Sequence, residues 1–417
     1  MTFAFFNLNS YLGGGETLIV RLAKYLRDEG YDFKLFYKKG SYIETDLDRI
    51  NISIDHRCPI VSDESYYYLN GKGRKKLRDE INTYLSGLKD VCLVSLNARE
   101  LYTLTDIAKN NANFKLAHLV LHDQDNLYVC QSVFDKIVQR ITGIRRFSRK
   151  KQIIFNTKLF NSICEQSVVI PQSELQSELL KNEFGIKTEK NKVVPLPVCD
   201  FSKIEYKEPI NNKKILWIGR IVDFKIPALL AMIRFVSRKE EYSLTIVGDG
   251  EVDYVRQYMK NNHINERNIS FLGKKNYSEL ENITREHSIG YAMGTSIIEI
   301  GKYGLPVIMA LGSPDYKDFK KDICGGLYIH QGRGNVGDTL YYEKSGEPIV
   351  LIDDAIKELE NDYRGYSRSC YESLKENFDE KTNFGKYMEL LKQSNSIFTS
   401  LDIPRSSLLR TFLFRNF

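Results

Sequence analysis

The chain has 417 residues, 42% apolar and 27% charged, with 60 Lys and Arg against 54 Asp and Glu and a formal net charge of +6. That length exceeds what one hydrophobic core organises, so two domains of roughly 200 residues are expected, and the composition excludes a disordered or fibrous chain. The charge excess favours anionic partners only weakly, and no run approaches the ~18 apolar residues of a membrane span.

The start, "MTFAFFNLNSYLGGGE", has no basic segment before its apolar run, so it reads as a first strand and not as a signal peptide. Gly13 to Gly15 are expected to turn. Residues 16–29 then set Leu18, Ile19, Leu22, Ala23, Tyr25 and Leu26 on one helical face, with Gly30 as the stop. Strands are expected at "DFKLFYK", "NISID", "VCLVSLN", "FKLAHLVLH" and "SVVI", with helices between them. The segment "VVPLPVCDFSKIEYKEPINN" (193–212) reads as the junction between domains.

From residue 213 the rhythm is stricter. "KKILWIGRI" is a strand and "PALLAMIRFVSRK" a helix with Pro227 in its first turn. "YSLTIVGDG", "ISFLG", "IGYAM" and "PVIMAL" are strands. "DYVRQYMKNN", "SELENITREH" and "TSIIEIGKYG" are the helices between, the second opening on a capping box of Ser278 and Glu281. Regular β-α alternation implies right-handed crossovers and parallel sheets. The expected fold class is therefore α/β, with two Rossmann-like domains facing across a cleft. The boundaries are 1–195, a linker 196–212, 213–380, and a helical segment 381–417. Ligands of such sheets bind at the carboxyl ends of the strands.

Three features stand at those ends. Gly219 and Arg220 close the first strand of the second half, and Lys225 follows in a short loop, so both cations can reach one phosphate. Alone, the pair is as readily two solvated loop cations. In "YAMGTSIIEIGKYGLPVIMA" (291–310), Gly294 admits close approach to the backbone, and the first free amides of the helix, Thr295 and Ser296, suit a diphosphate. Glu299 is one turn further, where it would accept from ribose hydroxyls; by spacing alone, a surface glutamate is the better reading. In the first half, "LGGGET" gives Gly14 and Gly15 at a strand end, where close backbone approach suits a phosphate or acceptor and the two are expected to bind the donor, without the GxGxxG spacing of a dinucleotide fingerprint.

These residues carry a resemblance. "GRIVDFK", "LTIVGDGE", "GTSIIEIGKYGLPVI" and "GGGE" resemble, in order and spacing, the blocks of GT-B glycosyltransferases, especially the large retaining family 4. The resemblance spans nearly the whole chain. It implies a metal-independent transfer, with retention, of a glycosyl group from a UDP- or GDP-linked sugar to an acceptor hydroxyl. Gly219, Arg220, Lys225, Gly294, Thr295 and Ser296 would hold the diphosphate, and Glu299 would hold the ribose. One departure stands out: where the family has the first glutamate of its E-x7-E motif, this sequence has Tyr291. By position, His122 in "LAHLVLHDQDNLY" resembles the strand-end histidine that faces the donor sugar, whereas His118 is expected to be a core histidine.

The triplet Asp123-Gln124-Asp125 also matches the metal-binding DxD of a different transferase fold. The second half with its Arg, Lys and Glu makes that fold superfluous, and no metal or other cofactor is expected. Seven scattered cysteines without a CxxC spacing fit neither a disulfide framework nor a zinc site, and point to a reducing cytoplasm. Two basic-apolar stretches, residues 140–158 and the tail "SSLLRTFLFRNF", fit an anionic membrane surface or, equally, solvated or packed helices. The expected partners are a nucleotide sugar and a glycan or lipid-linked glycan acceptor, with the protein cytoplasmic and peripheral on the inner face of the membrane. Bacterial surface polysaccharide or lipopolysaccharide synthesis is the expected setting. A non-catalytic nucleotide-sugar-binding subunit and a GT-B epimerase are the alternatives. Tyrosines spread over the whole chain and no RNA-binding motif argue against nucleic acid.

Overall fold

A computed structural model describes residues 1–9, 14–62, 71–109, 111–121, 148–189, 192–312, 321–328, 336 and 349–397. The chain divides into two compact units, the first formed by Met1–Val194 with Phe384–Phe417 and the second by Pro195–Asn383.

The first unit is built on β1 (Thr2–Asn7), β2 (Phe33–Lys38), β3 (Arg57–Ile60), β4 (Val91–Ser95), β5 (Phe114–Leu119) and β6 (Val168–Ile170). They form one sheet in the order β3-β2-β1-β4-β5-β6, and every pairing is parallel. β1 and β4 are buried along their whole length, as central strands covered on both faces must be. The helices are α1 (Gly14–Asp28), α2 (Tyr42–Arg49), α3 (Gly71–Leu85), α4 (Ala98–Ala108), α5 (Ser148–Gln166) and α6 (Glu174–Phe184). In α1, Leu18, Ile19, Leu22, Ala23 and Leu26 are buried, as the periodicity requires.

Two local expectations fail. Gly14 and Gly15 are not a turn but the first two residues of α1. "NISID" is not a strand: Ile54–His56 is a 3-10 turn in which the Ser53 hydroxyl accepts from the Asp55 amide, and the strand starts only at Arg57. A short polar side chain bonding its own backbone outcompetes the sheet there.

The second unit repeats the topology with β7 (Lys214–Ile218), β8 (Ser243–Val247), β9 (Ile269–Gly273), β10 (Ile289–Ala292) and β11 (Val307–Met309), ordered β11-β10-β7-β8-β9 and all parallel. Its helices are α7 (Ile226–Arg238), α8 (Val252–Asn261), α9 (Tyr277–Arg285), α10 (Thr295–Gly301), α11 (Ile352–Asn361) and α12 (Tyr363–Phe378). A two-stranded ribbon, β12 (Ile323–Cys324) with β13 (Val350–Leu351), is antiparallel.

The strand period of two sorts the core into layers. Ile215, Trp217, Leu244, Ile246, Ile289, Tyr291 and Ile308 pack with α7 and α11, while Leu216, Val247, Ala292, Val307 and Met309 pack with α10 and α12. The capping box of α9 is Asn276 with Glu279, two residues before the expected pair. Glu279 accepts from the Asn276 amide at 2.9 Å, and Glu281 instead pairs with Arg285.

The stretch expected to be a linker contributes to this unit's core. Val198, Cys199 and Phe201 are buried in it, and Cys199 bridges Asp379 in parallel. The last described helix, α13 (Glu380–Lys392), runs from the second unit into the first. There the Tyr387 hydroxyl donates to the Val194 carbonyl, the Asn395 carbonyl accepts from the Leu116 amide, and Ile397 joins the core.

Candidate functional site

Both sheets reverse their winding between two central strands, β1 and β4 in the first and β7 and β10 in the second. Connections leave such a pair in opposite directions, so a crevice opens beyond their carboxyl ends. In the second unit the crevice is bounded by the loop from β7 to α7 and the loop from β10 to α10.

The β7 loop runs through Gly219 and Arg220 into a 3-10 turn, Asp223–Lys225, stabilised by the Lys225 amide donating to the Val222 carbonyl at 2.8 Å. Around the point where a Cβ on Gly219 would stand lie Lys225 Nζ at 3.4 Å, Trp217 Nε1 at 3.7 Å and Ser296 Oγ at 3.9 Å. Gly219 and Lys225 of one loop are thus brought together with Ser296 of the other. A side chain at 219 would fill the space between the ammonium and the hydroxyl.

Lys225 is half-buried and Arg220 exposed. Loss of hydration, and then the neighbouring Arg220 charge, push the Lys225 ammonium down to about 8. Two like charges held together, one of them on a partly dehydrated lysine, form a site that an anion would stabilise.

The loop is braced from behind by glycines that sequence reasoning treated only as part of a matching block. The Gly219 amide donates to the Val247 carbonyl, the Ile221 amide to Asp249, and the Glu251 amide to Ile221. This lacing brings backbones so close that a Cβ on Gly248 would stand 2.0 Å from the Gly219 carbonyl oxygen, and one on Gly250 2.2 Å from that of Ile221. Gly248 also has φ 153°, in the region glycine favours. The signal for these roles was in "VGDG": two glycines at a strand end mark close backbone approach.

On the β10 side, Gly294 caps α10 with φ 66° and ψ −151°, and the space where its Cβ would stand is open. Thr295 and Ser296 follow, both half-buried, as the first helical residues, whose amides have no intrahelical acceptor. Glu299 is 7% exposed, in a helix buried all round from Ile297 to Gly301. Its Oε2 pairs with Lys302 Nζ at 2.5 Å. Burial works against the Lys302 charge, yet the Glu299 carboxylate holds its pKa above the usual value.

Tyr291 lies inside β10 and not at its end. It is fully buried, stacks at 46° on Trp217 with ring centres 5.8 Å apart, and donates to the Ala228 carbonyl of α7 at 3.2 Å. The backbone aims this position into the core, so a carboxylate here would be buried and would not reach a ligand beyond the strand end.

The first unit's crevice is built differently. Gly14 is open, while a Cβ on Gly15 would meet Leu121 Cδ1 at 3.2 Å and Asn7 Nδ2 at 3.3 Å, so a side chain there would have to shift both by a few tenths of an ångström. Glu16, 4% exposed, accepts from Asn9 Nδ2. Glu100, unremarked in the sequence, accepts from the Leu8 amide at 2.9 Å and the Leu96 amide at 3.1 Å, tying the ends of β1 and β4 together. His118 is a core residue: it is fully buried, its Nδ1 is 2.8 Å from Ser95 Oγ, and burial pushes its pKa down to about 3. Its Nε2 has no partner among the described residues. His122, Asp123, Asp125, the basic residues 140–147 and the tail 406–417 lie outside the described residues. No described helix is long and apolar enough to cross a membrane.

The sequence matches no family model and no curated protein. The fold does have counterparts among solved structures. HepE of Anabaena, in complex with UDP and glucose, aligns over 94% of this chain and 99% of its own at TM-score 0.58 and 15% identity. The pneumococcal O-GlcNAc transferase GtfA, in complex with UDP and GlcNAc, aligns over 94% and 98% at TM-score 0.57 and 12% identity. The lipopolysaccharide outer core galactosyltransferase WaaB, in its apo form, aligns over 94% and 99% at TM-score 0.58 and 13% identity. The chain thus has the two parallel-sheet α/β units of the GT-B fold.

Proposed function

We propose that this protein is a glycosyltransferase that takes a sugar from a nucleoside diphosphate sugar, held by the second unit, and passes it to an acceptor hydroxyl. The observation that carries the proposal is the convergence of Gly219, Lys225 Nζ and Ser296 Oγ at the crevice between β7 and β10, with Arg220 beside them. UDP in the crystals of two proteins of the same fold supports a UDP-linked donor. In the reaction the bond from the anomeric carbon to the β-phosphate oxygen breaks, and the diphosphate leaves with the electron pair. The acceptor oxygen bonds to that carbon and releases its proton. Negative charge grows on the diphosphate as the bond breaks, so Arg220 and Lys225 bind the transition state more strongly than the bound donor. These two cations let the step proceed without a metal, and Glu299, oriented by Lys302, would support the ribose. Gly14 and Gly15 would approach the donor from the first unit, and His122 would act as a catalytic residue toward the donor sugar. Retention of configuration, a glycan or lipid-linked acceptor, and work at the cytoplasmic membrane surface in polysaccharide or lipopolysaccharide synthesis complete the proposal. WaaB, of the same fold, acts in the lipopolysaccharide outer core, which supports that setting.

One observation favours a second reading, a non-catalytic nucleotide-sugar-binding subunit: Tyr291 is sealed in the core where the resembled family has a carboxylate. Incubation with a panel of UDP- and GDP-sugars separates the two. An enzyme releases nucleoside diphosphate slowly by hydrolysis without acceptor, and Arg220→Ala lowers that release by about a hundredfold or more. Tight binding with no release from any donor, with or without glycan acceptors, would establish the binding subunit instead.

A further inference from the structure

Phe224 has no part in the site as described so far. Among the described side chains of Phe and Trp it alone is strongly exposed, at 41%. It occupies the middle of the 3-10 turn Asp223–Lys225, between the two cation positions Arg220 and Lys225, where its amide is tied to Asp223 Oδ1 at 2.8 Å. Its ring is therefore held out into water on a fixed piece of backbone, directly before Lys225.

Its surroundings give the ring a direction. Lys225 Nζ lies 5.8 Å from the ring centre. A Cβ on Gly312 would stand 3.3 Å from Phe224 Cδ2 and 3.6 Å from Met293 Sδ. Gly312 follows β11 and Met293 follows β10, so the ring stands at the carboxyl end of the sheet. The crevice thus has a cationic part, Arg220 and Lys225, continuous with an apolar part, Phe224, Met293 and the side-chain-free Gly312. With Tyr291 turned inward, the residue after β10 is Met293, which is itself buried and backs this wall from the core.

We propose that Phe224 is a specificity-determining residue that stacks against the glycosyl ring of the donor. The inference rests on the glycosyltransferase reading, in which Lys225 meets the departing phosphate. The sugar is bonded directly to that phosphate, so it is the part of the donor nearest to the residue before Lys225. One face of a pyranose ring is lined by C–H bonds of slight positive charge, which match the negative face of an aromatic ring. A nucleobase needs hydrogen-bonding edges to be told from its rivals, and the wall of Phe224, Met293 and Gly312 has no polar side chain to read them.

The test is calorimetry of UDP and GDP beside UDP-glucose, UDP-galactose, UDP-GlcNAc and GDP-mannose, with the full chain and with Phe224→Ala and Phe224→Tyr. Because Phe224 is exposed, the alanine variant is expected to fold, and its thermal unfolding is checked first. The wild type should bind one sugar-linked donor more tightly than the bare nucleotide. Phe224→Ala should lose about tenfold of affinity for that donor while the bare nucleotide binds within about twofold, and Phe224→Tyr should keep both. Equal losses for donor and bare nucleotide, no loss for either, or a wild type that gains nothing from the sugar would each overturn the assignment. A wild type that binds none of the six ligands overturns the glycosyltransferase reading itself, so the two failures are distinguishable.

Discussion

The two units have the same strand logic and opposite chemistry at the same place. Each sheet reverses its winding between two central strands, and each crevice is floored by backbone that has just left a strand. In the first unit, Glu100 crosses the gap and accepts the amides of Leu8 and Leu96, while Glu16 takes Asn9. In the second, the gap between β7 and β10 is lined by Gly219, Lys225 and Ser296, with Arg220 alongside. One crevice is closed from within by an anion of the chain itself. The other holds cations whose mutual repulsion an outside anion would relieve. Topology determines where a ligand can bind, and the charge of the residues there determines which unit suits a phosphate.

The largest expected break in this comparison is Lys225→Ala. Removing a partly dehydrated ammonium from contact with a diphosphate should weaken nucleotide binding about a hundredfold in a calorimetric titration, with thermal stability unchanged or slightly raised. Next comes Gly248→Ala. The added carbon overlaps the Gly219 carbonyl, and the β7 loop must move; an unfolding free energy lowered by about 2–4 kcal/mol in denaturant titration and a roughly tenfold loss of nucleotide affinity are expected together.

Proton linkage sharpens the same point. The Lys225 pKa, about 8 in the fold, lies below its ordinary value of 10.5, so the unfolded chain binds the extra proton between those limits. The lysine's contribution to stability therefore rises as pH rises through that window. Ligand binding should run the other way, because a phosphate favours the charged ammonium. Nucleotide affinity should be flat below about pH 8 and fall above it, approaching tenfold per pH unit, and Lys225→Arg should remove the fall. The smallest effect on ligand belongs to Glu100→Gln. Its amide cannot accept at both Leu8 and Leu96 as the carboxylate does, so a stability loss of about 1–2 kcal/mol is expected, with nucleotide affinity unchanged.

Much of this was legible in the sequence, for reasons that can be named. The β-α rhythm and the apolar runs of "TFAFFN" and "ILWI" sufficed for parallel sheets buried on both faces, because a central strand leaves no polar alternative. Gly219, Lys225 and Ser296 could be singled out because the fold brings the carboxyl ends of neighbouring strands together, although their distances could not be read from spacing. The failures were local. At Ser53 and at Asn276 a short polar side chain bonded the nearest backbone amide or set a helix boundary, and such competition is decided over one or two residues. The role of Glu100 was hidden because it depends on the amides of Leu8, 92 positions away, and Leu96, which no periodicity connects. Tyr291 could be seen as a departure inside the expected strand "IGYAM", but which face of the sheet it takes, against Trp217 and α7, could not be read from the sequence. Gly248 and Gly250 were visible as glycines, and only the lacing to Gly219 and Ile221 explains why no other residue fits.

The central claim is that the second unit's crevice binds the diphosphate of a nucleotide through Lys225 and its neighbours. A thermal-shift titration of the full chain with UDP, GDP, ADP and CMP, with and without EDTA, beside Lys225→Ala, tests it most directly. The account predicts that one nucleoside diphosphate raises the unfolding temperature with rising concentration, that EDTA leaves the shift in place, and that Lys225→Ala abolishes it. A shift that requires a divalent cation and persists in Lys225→Ala would contradict the account and move the diphosphate site away from this crevice.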